Sequence, residues 1–506
     1  VSIASIEETP DRVAARRVGK DRGAPVKSAI LAVNLLAIGL ARRYEQRMRR
    51  SPIEVRVISK QRGRLAVRPD PYLMPTAMRQ ATILQRAALA GLASVVLLSG
   101  CSVVPRFWAR APGDHAFIAY WPPVKGDQQL TLAVKDNIDI KGTVTSAGSE
   151  YFSRNNPPAA EDAPCLAIAR ARQVQFVGKT NLSEFALSPS GSNEYFGTPR
   201  NPLGGWRKLI PGGSSSGAAV AVANGEADVA FGTDTAGSVR VPAACCGVVG
   251  LKTTHGLISI DGVHPIEAAH LDTVGPLGKD IAHTVQGMDL LQTGFAARYA
   301  AATAAKPSGS NIRIGRFTLD GTDPKIDQAI DQALALAGFQ VVPVRGDFAR
   351  KWEQAKEDGN SIAAAGAWIS DQQFRYKIGV SARTKSAILV GRLSYRTRYR
   401  QALARRGEWQ NALREVFKDV DFIALPTMQS TPPPIPPNLR IGLLEALVLK
   451  LQNTVAVNFA GNPALAMPVP LHHAGVAVTS LQLIGPPRSE AELLNAGRLV
   501  EAAVKK

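Results

Sequence analysis

From residue 113 onward, apolar and polar positions fall into short regular runs. Residues 129–134 (Q-L-T-L-A-V) alternate as a strand does, and the run ends in K-D-N-I-D-I-K-G. Residues 163–173 predict a short helix, and 174–178 a strand that leads into K-T-N-L-S-E-F-A. Turn residues fill 188–203, which reads as loop. A small-residue helix over 218–224, a buried strand over 228–231 and a helix start over 241–246 follow. Further on come a strand at 312–317, a helix at 324–337 and a strand at 340–344. Residues 345–420 are mostly helical, polar and rich in arginine, the pattern of a solvated layer covering a site. The chain closes with a strand at 422–426, a stiff T-P-P-P-I-P-P loop at 431–437, loop-and-strand returns at 453–470 and 480–486, and a helix at 489–504. Strands alternating with helices predict an α/β protein layered around one sheet. With no internal repeat or linker, residues 101–506 are expected to form one domain.

The first hundred residues break this regularity. The apolar run at 29–40 ends at Arg42 and Arg43 and is shorter than the ~20 residues of a membrane-spanning helix. Residues 51–77 keep no sustained period. From Met78 the order changes again: Arg79 and Arg86 head an apolar stretch at 87–98 of signal-peptide length. The stretch ends in Leu98-Ser99-Gly100-Cys101, which resembles the lipobox of bacterial lipoproteins. On this reading 1–77 is a basic leader, disordered or over-translated, and 78–100 a lipoprotein-type signal peptide. Residues 101–506 are then the body, anchored to a membrane through a lipid on Cys101 and facing the periplasm. The alternative is a buried internal helix and a cytoplasmic body.

Charge sharpens this division. Residues 1–100 carry 18 Lys and Arg against 7 Asp and Glu, so +11 of the net +19 sits there and only +8 is spread over the other 406 residues. No run interleaves basic and aromatic residues along a strand-tracking surface, so no nucleic-acid partner is expected. The four cysteines (Cys101, Cys165, Cys245, Cys246) form no C-x-x-C pair, so no structural metal is expected. Cys245 and Cys246 read as small core residues.

The chemistry concentrates in two glycine- and serine-rich clusters, P-G-G-S-S-S-G-A-A-V-A-V-A from Pro211 and G-T-D-T-A-G-S-V-R-V-P from Gly232. Glycine lets backbone N–H groups approach a ligand, and serine supplies hydroxyls. A serine hydroxyl is a poor nucleophile without a base. Three arrangements compete. Gly213-Ser214-Ser215-Ser216-Gly217 satisfies the G-x-S-x-G elbow with Ser215 as nucleophile, but Pro211 stands where a strand should lead in. A phosphate-cradling loop lacks the G-K-[ST] ending. The third arrangement joins both clusters to a lysine.

That third pattern closely resembles the amidase signature family of Ser-Ser-Lys hydrolases. A-V-K-D-N-I-D-I-K-G, G-K-T-N-L-S-E-F-A, F-G-T-P-R-N-P and L-Q-L-I-G-P match its outlying blocks in order, so the resemblance covers residues 114–506. It implies an α/β amidase-signature fold, with a large mixed central β-sheet covered by helices on both faces. It also implies hydrolysis of a small-molecule carboxylic amide to carboxylate plus ammonia or amine, with no cofactor. By motif, Lys135 matches the catalytic base, Ser214 the relay serine held by a cis peptide, and Ser238 the acylated nucleophile. The backbone N–H groups of Thr235, Ala236, Gly237 and Ser238 match the oxyanion hole. Gly213, Ser215, Asp234 and Arg240 are supporting residues, the last two paired to fix the loop. Burial with few anions nearby would hold Lys135 neutral. Ala236 stands where many members have glycine, which requires a negative φ there, and Ser216 also replaces a common glycine. D-H-A-F-I-A-Y and L-D-T-V-G-P look similar to the plant indole-3-acetamide amidases. Alternatives are an esterase-type hydrolase of the same fold and a non-catalytic binding subunit. The sequence leaves the oligomeric state open.

Overall fold

The computed structural model describes residues 113–505 apart from 125–128, 206, 437–440 and 474–475. Residues 1–77, expected to be a basic leader, 78–100, expected to be a signal peptide, and Cys101 of the lipobox-like motif lie outside the described residues.

The chain runs β1 (Phe117–Tyr120), β2 (Thr131–Lys135), α1 (Glu150–Asn155), α2 (Ala167–Ala171) and β3 (Gln175–Thr180). Next come α3 (Ser216–Ala223), β4 (Val229–Asp234), α4 (Arg240–Cys246), β5 (Val249–Lys252) and β6 (Thr273–Gly278). Helices α5 (Ile281–Leu291) and α6 (Phe295–Ala305) lead to β7 (Arg313–Arg316), α7 (Pro324–Leu336) and β8 (Gln340–Pro343). Three longer helices follow, α8 (Phe348–Asp371), α9 (Ala382–Thr397) and α10 (Tyr399–Val416). The chain finishes with β9 (Phe422–Pro426), α11 (Ile441–Leu451), α12 (Val455–Ala460), β10 (Ala464–His473), β11 (Val476–Ile484) and α13 (Glu490–Val504).

All eleven strands form one mixed sheet in the order β1-β3-β2-β4-β6-β5-β10-β11-β9-β7-β8. β3, β2 and β4 are parallel neighbours, as are β9, β7 and β8. The antiparallel strands β6, β5, β10 and β11 lie between the two parallel groups. The pleat sorts side chains between two cores. Leu132, Val134, Val229 and Phe231 join the core that α5, α7 and α13 cover. Ala133 and Ala230, on the other face, join the core of α3 and α4. A third core, with Trp352 and Trp409, packs α8, α10 and α12 together.

Helix α3 (S-G-A-A-V-A-V-A) is buried from Ser216 through Val222, so it shows no amphipathic stripe. Its small residues permit close packing: a Cβ at Gly217 would lie 2.2 Å from the Ala116 carbonyl oxygen. Helix α7 starts as its sequence demands, with Asp323 accepting the Lys325 N–H at 3.0 Å and Pro324 in the first turn.

The fold departs from expectation at one segment. The sequence predicts loop and strand over 453–470, but Val455–Ala460 is a helix. All six residues of V-A-V-N-F-A are buried, and a short, almost wholly apolar run carries no period that separates helix from strand. Among the described residues, no helix is long and apolar enough to cross a membrane.

Candidate active site

Lys135 is the last residue of β2, and alternation sends its side chain to the face shared with Ala133, where α3 packs. It is fully buried. Nζ donates to Ser214 Oγ at 2.8 Å and to Thr233 Oγ1 at 2.7 Å. Burial pulls its pKa down from 10.5 to about 7, against the opposing pull of Asp234 and Asp272. Neither carboxylate bonds to the ammonium, so desolvation wins. Asn137, two residues on, donates to the same Thr233 hydroxyl at 3.2 Å.

Ser214 comes from the turn that enters α3, and the Gly213–Ser214 peptide is cis. Only glycine fits at 213, because a Cβ there would lie 2.4 Å from the Ser188 carbonyl oxygen. Ser215 is not placed as an elbow nucleophile. It is fully buried, and its hydroxyl donates to the Thr233 carbonyl at 3.3 Å. Neither Ser215 nor Ser216 caps α3 through its side chain. Ser215 occupies the capping position without that bond, and buried Ser216 Oγ has no hydrogen-bond partner among the described residues. The Ser215 N–H instead donates to the Ser238 carbonyl at 3.2 Å, which ties the two glycine-serine loops together.

Asp234 at the end of β4 organises the second loop. Its carboxylate accepts the N–H of Gly237 at 2.8 Å, of Val239 at 3.1 Å and of Arg240 at 3.4 Å. It also pairs with the Arg240 guanidinium at 2.9 Å, both side chains being fully buried. Burial pushes the Asp234 carboxyl up, but Arg240 overrides this and holds it well below the usual carboxylate range. Arg240 uses all five of its guanidinium donors, on Asp234, Thr454 O, Gln482 and Asn458. The pair holds the shape of the loop from a fully buried position.

Of the four N–H groups expected to form an oxyanion hole, one is already bonded within the loop. The Gly237 N–H is committed to Asp234, because the turn folds back over its own carboxylate. Among the described residues, no acceptor takes the N–H of Thr235, Ala236 or Ser238. Ala236 is not in the left-handed region, so its side chain is tolerated. Gly237 has φ +131°, and a Cβ there would lie 2.2 Å from Thr454 Oγ1, which itself donates to the Ala236 carbonyl at 2.5 Å. The Thr235 hydroxyl donates to buried Asp272 at 2.6 Å.

Ser238 is half-buried, and its hydroxyl makes no hydrogen bond to a described residue. It opens onto a cavity of about 380 Å³ that Gly213, Thr235 and Ala236 also line. The far wall is apolar, from Leu187 and Ile266 to Ala363, Ala364 and Ala367 of α8 and Leu449 of α11. The structure therefore joins Lys135 directly to Ser214, and places Ser238 on the cavity that Gly213 also lines. The sequence reading does not pick out Thr233, Asp272, Thr454 or Asn458. Thr233 lies inside the recognised G-T-D-T block and is readable there. Asp272 lies inside the quoted L-D-T-V-G-P, while Thr454 and Asn458 come from a segment whose proximity only the fold creates.

Cys165, Cys245 and Cys246 are buried, and burial raises all three thiols, Cys165 to about 12. Among the described residues, no group of three or more His, Cys, Asp or Glu side chains could hold a metal ion.

A family model described as Amidase matches residues 129–494. The chain belongs to the amidase signature family. This amidase is 36% identical over 394 residues to 2-amino-5-chloromuconic acid deaminase of Comamonas testosteroni, covering 74% of the chain and 81% of that protein. It is 32% identical over 417 residues to a glutamyl-tRNA(Gln) amidotransferase subunit of Halobacterium salinarum, covering 73% and 94%. The solved glutamyl-tRNA(Gln) amidotransferase subunit of Thermotoga maritima superposes with a TM-score of 0.63 at 26% identity, over 76% of this chain and 86% of that one.

Proposed function

We propose that this amidase hydrolyses an uncharged carboxylic amide through an acyl-enzyme on Ser238. The observation that carries the reading is the buried contact of 2.8 Å between Lys135 Nζ and Ser214 Oγ, beside a serine open to a cavity. With its pKa lowered to about 7, Lys135 holds a large neutral fraction at neutral pH and can accept a proton. Ser238 Oγ attacks the carbonyl carbon while its proton passes to Ser214, whose own proton passes to Lys135. The N–H groups of Thr235, Ala236 and Ser238 receive the oxyanion, each such donor being worth about 3 kcal/mol in comparable sites. Collapse breaks the C–N bond, and the proton returns through Ser214 to the leaving nitrogen. Water then attacks the ester by the same route, releasing carboxylate and restoring Ser238.

No charged side chain lines the cavity. A charged acyl group would be buried there without a counter-ion, which is costly. This favours a neutral, largely apolar acyl group over a free amino acid such as glutamine. The likeness to indole-3-acetamide amidases makes an arylacetamide the first substrate to try. Wild type should form an acyl adduct visible by intact mass and trapped by hydroxylamine. Ser238→Ala should form none, and unchanged turnover in that variant would overturn the assignment. The lipobox supports a lipid-anchored protein of the cell envelope. Labelled palmitate should enter the wild type and not Cys101→Ser, and label persisting in the variant would refute the anchor.

A further inference from the structure

The cavity wall contains five polar side chains, from Ser188, Thr235, Ser238, Asn360 and Gln452. Two are already bonded: the Ser188 hydroxyl donates to Glu445 at 2.7 Å and the Thr235 hydroxyl to Asp272 at 2.6 Å. Ser238 is the proposed nucleophile. That leaves two carboxamides. Gln452 is only 2% exposed, yet its side chain makes no hydrogen bond to a described residue. Its backbone N–H is used, donating to Val448 O at 3.1 Å. The adjacent Asn453 donates its amide to Pro426 O at 3.0 Å, while its own Oδ1 is buried without a partner among the described residues. Asn360 is half-buried and also has no side-chain partner among the described residues. It sits three, four and seven residues before Ala363, Ala364 and Ala367, so it shares their cavity-facing stripe on α8. One turn earlier on α8, Lys356 Nζ donates to the Lys450 carbonyl at 3.4 Å, which brings this part of the helix against the end of α11 that precedes Gln452.

Carboxamides that line a cavity and have no protein partner keep their donors and acceptors free for a ligand. We propose that Asn360 and Gln452 form a neutral hydrogen-bonding subsite in the otherwise apolar cavity, and that it binds an uncharged polar group on the substrate, such as a urea, lactam or second carboxamide. The proposal rests on the amidase reading for its substrate. Each side chain carries both a donor and an acceptor, which matches a group presenting both. The uncharged lining disfavours a carboxylate or ammonium there. A site built to hydrogen-bond a substrate discriminates against the analogue that lacks the group more strongly than an apolar pocket discriminates by size.

The test compares 4-ureidophenylacetamide with 4-isobutylphenylacetamide, which has nearly the same shape and no hydrogen-bonding tail. Wild type should favour the ureido compound by about tenfold or more in kcat/KM. In Gln452→Leu, Asn360→Leu and the near-isosteric Gln452→Met, that ratio should fall toward one. No preference in wild type, or an unchanged ratio in folded variants, would overturn the subsite. Calorimetry on Ser238→Ala supplies a reading free of turnover, with the ureido compound expected to bind about tenfold more tightly. If that preference holds while wild type hydrolyses neither compound, the subsite stands and the amidase substrate reading fails. Equal affinities would refute the subsite while leaving hydrolysis untouched.

Discussion

Three lysines lie buried in this sheet, and they differ in what their ammonium groups touch. Lys179 on β3 meets a carboxylate, Asp136, at 3.0 Å, with both side chains almost fully buried, and also donates to the Ile138 carbonyl at 2.7 Å and the Thr145 hydroxyl at 3.0 Å. Lys252 on β5 donates to two backbone carbonyls, Thr253 O at 2.8 Å and Asn462 O at 2.9 Å. Lys135 on β2 donates to two hydroxyls, more distantly to the Thr233 carbonyl at 3.4 Å, and bonds to no carboxylate. Burial lowers Lys252 to about 7, with Arg240 helping, as burial lowers Lys135. A depressed pKa therefore does not by itself mark the base. A carbonyl can accept from an amine but has no proton to hand on, whereas a hydroxyl accepts and donates at once. An ionised carboxylate, such as the one Lys179 meets, likewise accepts without having a proton to hand on. Lys135 alone of the three combines a hydroxyl relay with freedom from a bonded anion, and in the proposed mechanism that relay leads to Ser238.

Removing the proposed nucleophile should have the largest effect: Ser238→Ala should lose on the order of 10⁵-fold in kcat, measured on any amide the wild type turns over. Lys135→Met should lose about 10²- to 10⁴-fold, the usual share of a general base. It should also flatten part of the pH dependence of stability. The folded pKa of Lys135 is lowered, so between about pH 7 and 10.5 the unfolded chain holds a proton that the folded chain does not, and stability rises with pH across that window. Chemical denaturation of wild type and variant from pH 7 to 10 reads the difference. For activity, the neutral base is lost on acidification, so kcat/KM should fall by about tenfold per unit below pH 7 and level off above it. Lys252→Met gives the smallest effect, with kcat within about threefold and the pH profile unmoved. A profile that shifted with Lys252 and not with Lys135 would break the comparison.

The residues of the proposed mechanism were more legible in the sequence than the cavity was. Lys135, Ser214 and Ser238 stand in blocks whose residue order is distinctive, and short strands such as Phe422–Pro426 stand out by composition and flanking turns. The pairing of Asp234 with Arg240 follows from their spacing on one loop. The bond of the Gly237 N–H to Asp234 is not visible in the motif, because a motif names residues and does not say where each amide points. Helix α12 escapes detection because six consecutive buried residues show no period. Asn360 and Gln452 lie 92 positions apart in chain order, in stretches of ordinary sequence. Their shared lining of one cavity is a product of tertiary packing.

The alanine-faced wall of α8 has a consequence for how this enzyme can change. Ala363, Ala364 and Ala367 are the smallest side chains that still pave the cavity, and they belong to a helix that supplies none of the proposed reacting groups. Swapping one of them for a larger apolar residue would fill space without disturbing Lys135, Ser214 or the Asp234 turn. Substrate range can thus drift by single steps, each reversible and each tolerated by the chemistry. The wall behaves as an interchangeable part on a fixed engine.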